Sequence, residues 1–242
     1  MFTRIIAVAA VAGLLAGLLL TAIQQIAIAP LIRAAEVREA AGGAAQAANE
    51  VDSHEAWMPR EGRERLVATT VANIVLATAF ALLLGAAMVR RQQSGWRAGL
   101  AWGIAGYAVF FVAPVLGLAP ELPGANSAPL ADRQIWWIAA ASSSAAGLWL
   151  AAFGRKPLSR IVGIVLLVAP QAAGAPRPPP GLDSSTGEDA RAFIHATYLA
   201  NAALWLALGV MVGVLSKPGK SSTMTDGHRG RDAAGVDARP PQ

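Results

Sequence analysis

Histidine and carboxylate side chains are the groups in this chain that could bind a metal ion. The chain has three histidines, His54, His195 and His228, and no cysteine. Without thiolates, a transition-metal site must use imidazole and carboxylate, which suit cobalt, nickel, zinc and copper(II). His54 stands beside Glu55 in a charged run, 54–65, which also holds a tryptophan. The alternative interpretation of this run is an interfacial anchor, because tryptophan and charged residues commonly flank membrane helices.

Other kinds of chemistry are disfavoured. No Ser-His-Asp or His-Glu-x-x-His pattern occurs. Gly219-Lys220-Ser221 hints at a phosphate-binding loop, but the upstream glycine is one position off and no strand precedes it. No Asp, Glu, Lys or Arg lies in the middle of an apolar segment, which argues against a proton relay because such relays depend on buried ionisable groups. We therefore expect no enzymatic activity and no permanently bound cofactor.

The elements that must position these residues are membrane helices. The chain is 55% hydrophobic and 14% charged, whereas soluble domains average about 25% charged residues. In lipid a single span must satisfy its own backbone hydrogen bonds, which requires a helix. The sequence predicts an all-α polytopic membrane protein, a six-helix bundle within residues 1–216, followed by a disordered cytoplasmic tail at 217–242. The predicted helices are about 5–29, 66–89, 98–118, 134–153, 161–175 and 193–215.

Loop charges orient the bundle. The loops between segments two and three and between segments four and five hold only basic charges, and the tail adds five more. By the positive-inside rule these regions are cytoplasmic. The alternate loops carry acids, with seven acids against five arginines in 30–65. We therefore expect both termini on the cytoplasmic side of the inner (plasma) membrane. The net charge of +5 reflects this topology and does not indicate nucleic-acid binding.

An Ala-Pro pair closes segments one, three and five, at 29–30, 113–114 and 169–170. The returning helices open with an acid and an arginine, which suggests three tandem helical hairpins like the parallel repeats of some transporters. The alternative is chance recurrence of common residues. Pro114 and Pro170 should also free the carbonyls of residues 110 and 166. Short, proline-interrupted segments such as the fifth point to transporter binding sites.

We expect a metal site at the outer mouth of the bundle, formed by His54, Glu55, Glu121 and His195. Carboxylates at this surface would raise the local concentration of cations, and imidazole would favour a borderline divalent metal. Polar residues within the spans are expected to bond between helices or to line a polar path. They are Gln24, Gln25, Asn73, Tyr107, Ser142–Ser144 and Asn201.

An ordered set of short motifs resembles the CbtA-type membrane proteins, proposed cobalt transporter subunits. The resemblance extends to about residue 215 and implies cobalt delivery for cobalamin synthesis. It also implies a small single-span partner that bears histidines, CbtB. In the family's pattern a histidine commonly follows the proline of segment five, where this chain has Gln171. The motifs are Ala-Gly-Leu-Leu-Ala-Gly (12–17) with Gln24-Gln25, His54-Glu55-x-Trp57-x-Pro59-x-x-Gly62-x-x-Arg65, Pro120-Glu121-Leu122-Pro123-Gly124, Arg133-Gln134-x-Trp136-Trp137 and Gly174-Ala175-Pro176-x-Pro178.

Two functions remain open at this stage. The first is a membrane transporter subunit for cobalt or a similar divalent metal, which would be the substrate. The second is a non-transporting assembly or interaction subunit whose outer loops bind a partner. A transporter should have a polar path between its helices, and an interaction subunit should have a dry, tightly packed centre. The sequence also leaves a homo-oligomer open.

Overall fold

Six helices make up the computed structural model, which describes residues 2–43, 60, 62–125, 127–177 and 187–216. Within those ranges there is no strand, and the predicted all-α, six-helix fold is confirmed. Five of the helices are long and apolar enough to cross a membrane, and α5 is shorter, with 17 residues. The predicted tail lies outside the described residues. The helices are α1 (Phe2–Ile23, Gln24–Ile28 and Ala29–Gly43, without a break), α2 (Arg63–Arg90), α3 (Trp96–Val115), α4 (Leu130–Phe153), α5 (Pro157–Ala173) and α6 (Glu188–Leu215).

Helix α1 continues past its predicted end at Ala29. A π-helical turn, Gln24–Ile28, ends two residues before Pro30, and the Ala29 N–H donates to the carbonyl of Gln24. Proline lacks an N–H and its ring crowds the preceding turn, and the wide turn accommodates both effects. The helix therefore runs on to Gly43 as a polar extension that stands beyond the apolar segment.

Helix α3 also contains a π turn before a proline. A π-helical turn, Ala108–Val112, precedes Pro114, and the Ala113 N–H bonds the carbonyl of Ala108. Pro170, by contrast, lies inside α5 in ordinary α-helix. Two of the three Ala-Pro pairs thus follow a π turn, and the third lies in regular α-helix.

Helix pairing departs from the predicted order of tandem hairpins. Helices α1 and α2 pack along each other as expected, but α3 packs along α6 and α4 along α5, whereas α5 and α6 hardly touch. Glycines explain the choice: a Cβ added at Gly99 would overlap the carbonyl oxygen of Gly209. Small residues allow this close backbone approach. Between α3 and α4, by contrast, large aromatic rings such as Trp102 and Trp149 keep the backbones apart. The tandem arrangement therefore holds only for the first hairpin.

The Ala-Pro pairs also differ in depth. Helices α1 and α3 start at the same end of the bundle, where Arg4 bonds the carbonyl of Leu215 and the Gly95 N–H bonds that of Gly213. At about 1.5 Å per residue, Pro30 lies about 10 Å farther out than Pro114. Gln171, which follows Pro170, donates to the carbonyl of Ala113 over 2.7 Å. Only the second and third pairs therefore lie at a common depth.

The main core joins α1, α2, α3 and α6. Its largest fully buried side chains include Trp205, Leu204, Leu208 and Met88. The α4–α5 pair stands outside this core and joins it near the ends of α3 and α5 that lie opposite the basic loops. This arrangement leaves a gap between α2, α3 and α4 near their basic ends.

Candidate functional site

Three polar side chains join α1 to α2 beside the π turn of α1. Asn73 donates to Oε1 of Gln24 over 2.6 Å and to Oγ1 of Thr21 over 3.0 Å. Thr21 in turn donates to the carbonyl of Gly17 over 2.9 Å. Asn73 and Thr21 are buried. We refer to Thr21, Gln24 and Asn73 as the polar cluster, and it confirms that polar residues within these two spans bond between helices.

A polar pocket of about 290 Å³ lies against this cluster, between the π turn of α1 and the start of α2. Gln24 and Gln25 contribute their side chains to its wall. Amide and backbone carbonyl oxygens are ligands that hard cations accept, and π turns are frequent at functional sites. The pocket therefore offers amide oxygens beside a π turn, and two arginines, Arg33 and Arg65, also line it. Its lining residues are Gln24, Gln25, Ile28, Ala29, Ile32, Arg33, Gly62, Arg65, Leu66 and Thr69.

A larger cavity of about 740 Å³, called the outer vestibule after the predicted orientation, lies at the end of the bundle opposite the basic loops, between the extension of α1, the α3–α4 loop, the start of α4 and Phe193 of α6. Ile32 and Arg65 line both the vestibule and the polar pocket. Arg65 makes a two-pronged ion pair with Glu36, with contacts of 2.7 and 3.0 Å. These side chains therefore separate the two cavities, and the Glu36–Arg65 pair stands at the boundary.

The acids of the vestibule face arginines. Glu36 pairs with Arg65, and Glu121 pairs with Arg133 over 3.4 Å while accepting a hydrogen bond from Ser127. Both pairs are about one-third exposed. The described wall is thus not the net negative surface that the loop composition suggested. Partly exposed single-contact pairs contribute only about 0–1 kcal/mol, whereas the two-pronged geometry makes Glu36–Arg65 the stronger of these two pairs.

The four predicted metal ligands are not brought together in the part of the chain that the structure describes. Glu121 lines the vestibule, but His195 is exposed on α6. It follows Phe193, a vestibule residue, by two positions, or about 200° around the helix. His54 and Glu55 lie outside the described residues. Within the described ranges no group of three or more His, Asp or Glu side chains could hold a metal ion. The metal site stays a prediction.

The sequence analysis did not place Glu36 and Arg65 in a site. It ended the first helix at Ala29, so the position of Glu36 on a helical extension was not foreseen. One signal was available: proline is favoured at the first turn of a helix, and no proline or glycine interrupts 31–41. Pro30 could therefore have been interpreted as the start of a further helical stretch.

Two polar contacts satisfy the backbone where α3, α4 and α5 meet. Ser143 donates to the carbonyl of Leu166 over 2.6 Å. That carbonyl is the one that Pro170 was predicted to free, because proline has no N–H to offer it. Gln171 donates to the carbonyl of Ala113. The carbonyls of Leu166 and Ala113 at this junction are thus engaged by side chains and are not free to bind a cation.

A family comparison covers both cavities and all six helices. The chain matches, over residues 2–217, the family described as CbtA, "Probable cobalt transporter subunit". The chain belongs to this family. The resemblance of its motifs to CbtA-type proteins is thereby confirmed. CbtA membership and the apolar helices make it a membrane protein of a transport family, and the word subunit implies a complex. No curated protein is significantly similar to the chain, and no solved structure is.

Proposed function

We propose that the chain is a membrane transport subunit that conducts a divalent cation, with cobalt for cobalamin synthesis as the favoured substrate. The observation that carries the proposal is the polar pocket on the π turn of α1, which adjoins the outer vestibule. The pocket combines two glutamines with a π turn in a continuous helix, and π turns are frequent at functional sites. The description of the CbtA family supplies the metal.

The Glu36–Arg65 pair is the proposed gate. While it is closed, the positive charge of Arg65 stands at the boundary and repels a cation. Opening the pair would move the guanidinium aside and free the Glu36 carboxylate, which then attracts the cation toward Gln24 and Gln25. Opening breaks two charge-assisted hydrogen bonds, and the attraction between the freed carboxylate and the cation would offset that loss. We propose His54, Glu55, Glu121 and His195 as the ligands that capture the metal at the outer mouth.

A partner completes the proposed complex. We propose a small single-span subunit of the CbtB type, whose histidines would add imidazole ligands that the described residues lack in the vestibule. The complex would lie in the inner membrane with both termini of this chain in the cytoplasm, as the basic loops at one end of the bundle favour.

Uptake of radioactive cobalt by cells that express the chain with its partner tests the proposal. Gln24→Leu and Gln25→Leu remove the pocket amides, and we expect uptake to fall at least tenfold with unchanged protein levels. Asn201→Leu is the matched control, because this amide bonds the carbonyl of Thr197 in its own helix. If cobalt uptake by Gln24→Leu and Gln25→Leu equals uptake by the Asn201→Leu control, the route through the pocket is refuted.

A non-transporting assembly subunit is the second candidate, and the dry core favours it. The buried residues shared by α1, α2, α3 and α6 are almost entirely apolar, and Trp205 is 2% exposed. In that case the outer vestibule would bind a partner and the polar cluster would only fix the α1–α2 pair. Cells that require the chain for assembly of a complex, but whose metal uptake is unchanged without it, would favour this function.

A further inference from the structure

An apolar groove opens between α2, α3 and α4 in the half of the bundle that carries the basic loops. Its volume is about 440 Å³, and its wall is almost wholly apolar. Leu83 of α2, Ala101 of α3 and Ala145 of α4 mark its three sides. It exists because the α4–α5 pair contacts the core mainly near the outer end, where Trp137 lies 6.4 Å from Phe110 between ring centroids.

Two tryptophan rings bridge the groove between α3 and α4 and keep it narrow. The rings of Trp102 and Trp149, on opposite walls, are 6.3 Å apart between centroids. Trp102 donates to Oε1 of Gln93 over 2.6 Å, which satisfies the indole N–H at the groove edge. Rings at this separation are in contact, and a partner helix, about 10 Å across, cannot enter between walls this close. A single hydrocarbon chain would occupy the cavity of about 440 Å³ beside the ring pair.

An arginine stands at the mouth of the groove. The guanidinium carbon of Arg91 lies 4.0 Å from the ring centroid of Phe153 and 6.0 Å from that of Trp149, and both rings line the groove. The loops at this end, 90–97 and 154–160, contain no acid. Stacking on a ring leaves the edge of the guanidinium free to donate, and its fork matches a phosphate. The basic residues of these two loops are Arg90, Arg91, Arg97, Arg155, Lys156 and Arg160.

We propose that this groove binds one anionic phospholipid, with an acyl chain between α3 and α4 and its headgroup phosphate on Arg91. The occupant follows from charge complementarity: an apolar slot in the membrane ends at a cluster of cations without acids. The site is separate from the polar pocket on α1 and does not depend on the transport proposal. The bound lipid fills the gap that the peripheral α4–α5 pair leaves beside the core.

Quenching of tryptophan fluorescence by brominated lipids tests the site. The protein is placed in nanodiscs of zwitterionic phospholipid, and a phosphatidylglycerol with a brominated acyl chain is titrated in. We expect a quenching component that saturates at low mole fraction, because Trp102, Trp149 and Trp205 line the groove. Brominated phosphatidylcholine with the same chain should quench only in proportion to its mole fraction. Identical curves for the two lipids would overturn the proposal.

Two pairs of variants locate the lipid. Arg91→Gln should weaken the saturable component about fivefold, the effect of one arginine near an anionic lipid surface. Arg97→Gln, whose guanidinium rests on Trp96 outside the groove, should change it less than twofold. Ala145→Phe fills the groove and should abolish the component, whereas Ala146→Phe, on an exposed neighbouring position, should leave it intact. Equal effects within either pair would show that the lipid binds elsewhere.

Discussion

Removing the Asn73 side chain reports whether water reaches the polar cluster. Asn73→Ala deletes the two hydrogen bonds that it donates to Gln24 and Thr21. Interhelical hydrogen bonds in membranes contribute on average about 0.6 kcal/mol each, so their loss costs about 1 kcal/mol. Thr21 keeps its bond to Gly17. Gln24 lines the polar pocket, so water there can replace the lost donor and no further cost arises.

If the pocket is dry, Asn73→Ala should lower the free energy of unfolding by more. An acceptor left buried without a partner costs a further 1–3 kcal/mol or so, which would raise the total to about 3 kcal/mol. Unfolding in mixed micelles of increasing denaturing-detergent content measures the difference. Asn201→Ala is the control, because its amide bonds its own helix. We expect a loss of about 1 kcal/mol for Asn73→Ala relative to this control. A loss of about 3 kcal/mol would refute a hydrated pocket and favour the assembly subunit.

Three further outcomes are expected. A reporter fused after Lys156 should be cytoplasmic and one between α1 and α2 external; the reverse would overturn the orientation and the outer metal site with it. His54→Ala should reduce cobalt uptake more than Arg60→Ala, and equal losses in the two variants would leave only the interfacial-anchor interpretation. Uptake should also weaken below about pH 6, because imidazole takes up a proton near pH 6.5 and then cannot bind a cation. Gly99→Ala should destabilise the fold by about 1–3 kcal/mol through overpacking against α6. Gly85→Ala, also within a helix but with only ordinary van der Waals contacts for the added Cβ, should not be destabilised in the same assay.

Hydropathy located the six helices because an apolar run in lipid has few structural options. It did not determine which helices pair, because that depends on how closely two backbones approach. The glycine pairs at 99–103 and 209–213 were visible in the sequence as packing motifs. What the sequence did not reveal is that these two faces meet each other, which brings α3 against α6.

The candidate site was predicted only in part. Gln24, Gln25 and Asn73 were recognised as polar groups within spans, and a polar path lined by such groups was expected. The π turn was not predicted, because the residue types at 24–28 are equally compatible with an α turn. The expected outer ligands depend on His54 and Glu55, which lie outside the described residues, so their convergence stays a prediction.

The π turn of α1 also sets the rotational register of the extension beyond it. A π turn holds one residue more than an α turn, and one residue corresponds to about 100° of rotation around a helix. If the wide turn closed, Glu36 and the rest of Ala29–Gly43 would turn by that angle relative to the inner half, whose glycines hold it against α2. After that rotation Glu36 would no longer face Arg65. The extra residue of the π turn therefore places Glu36 on the face of α1 that meets Arg65.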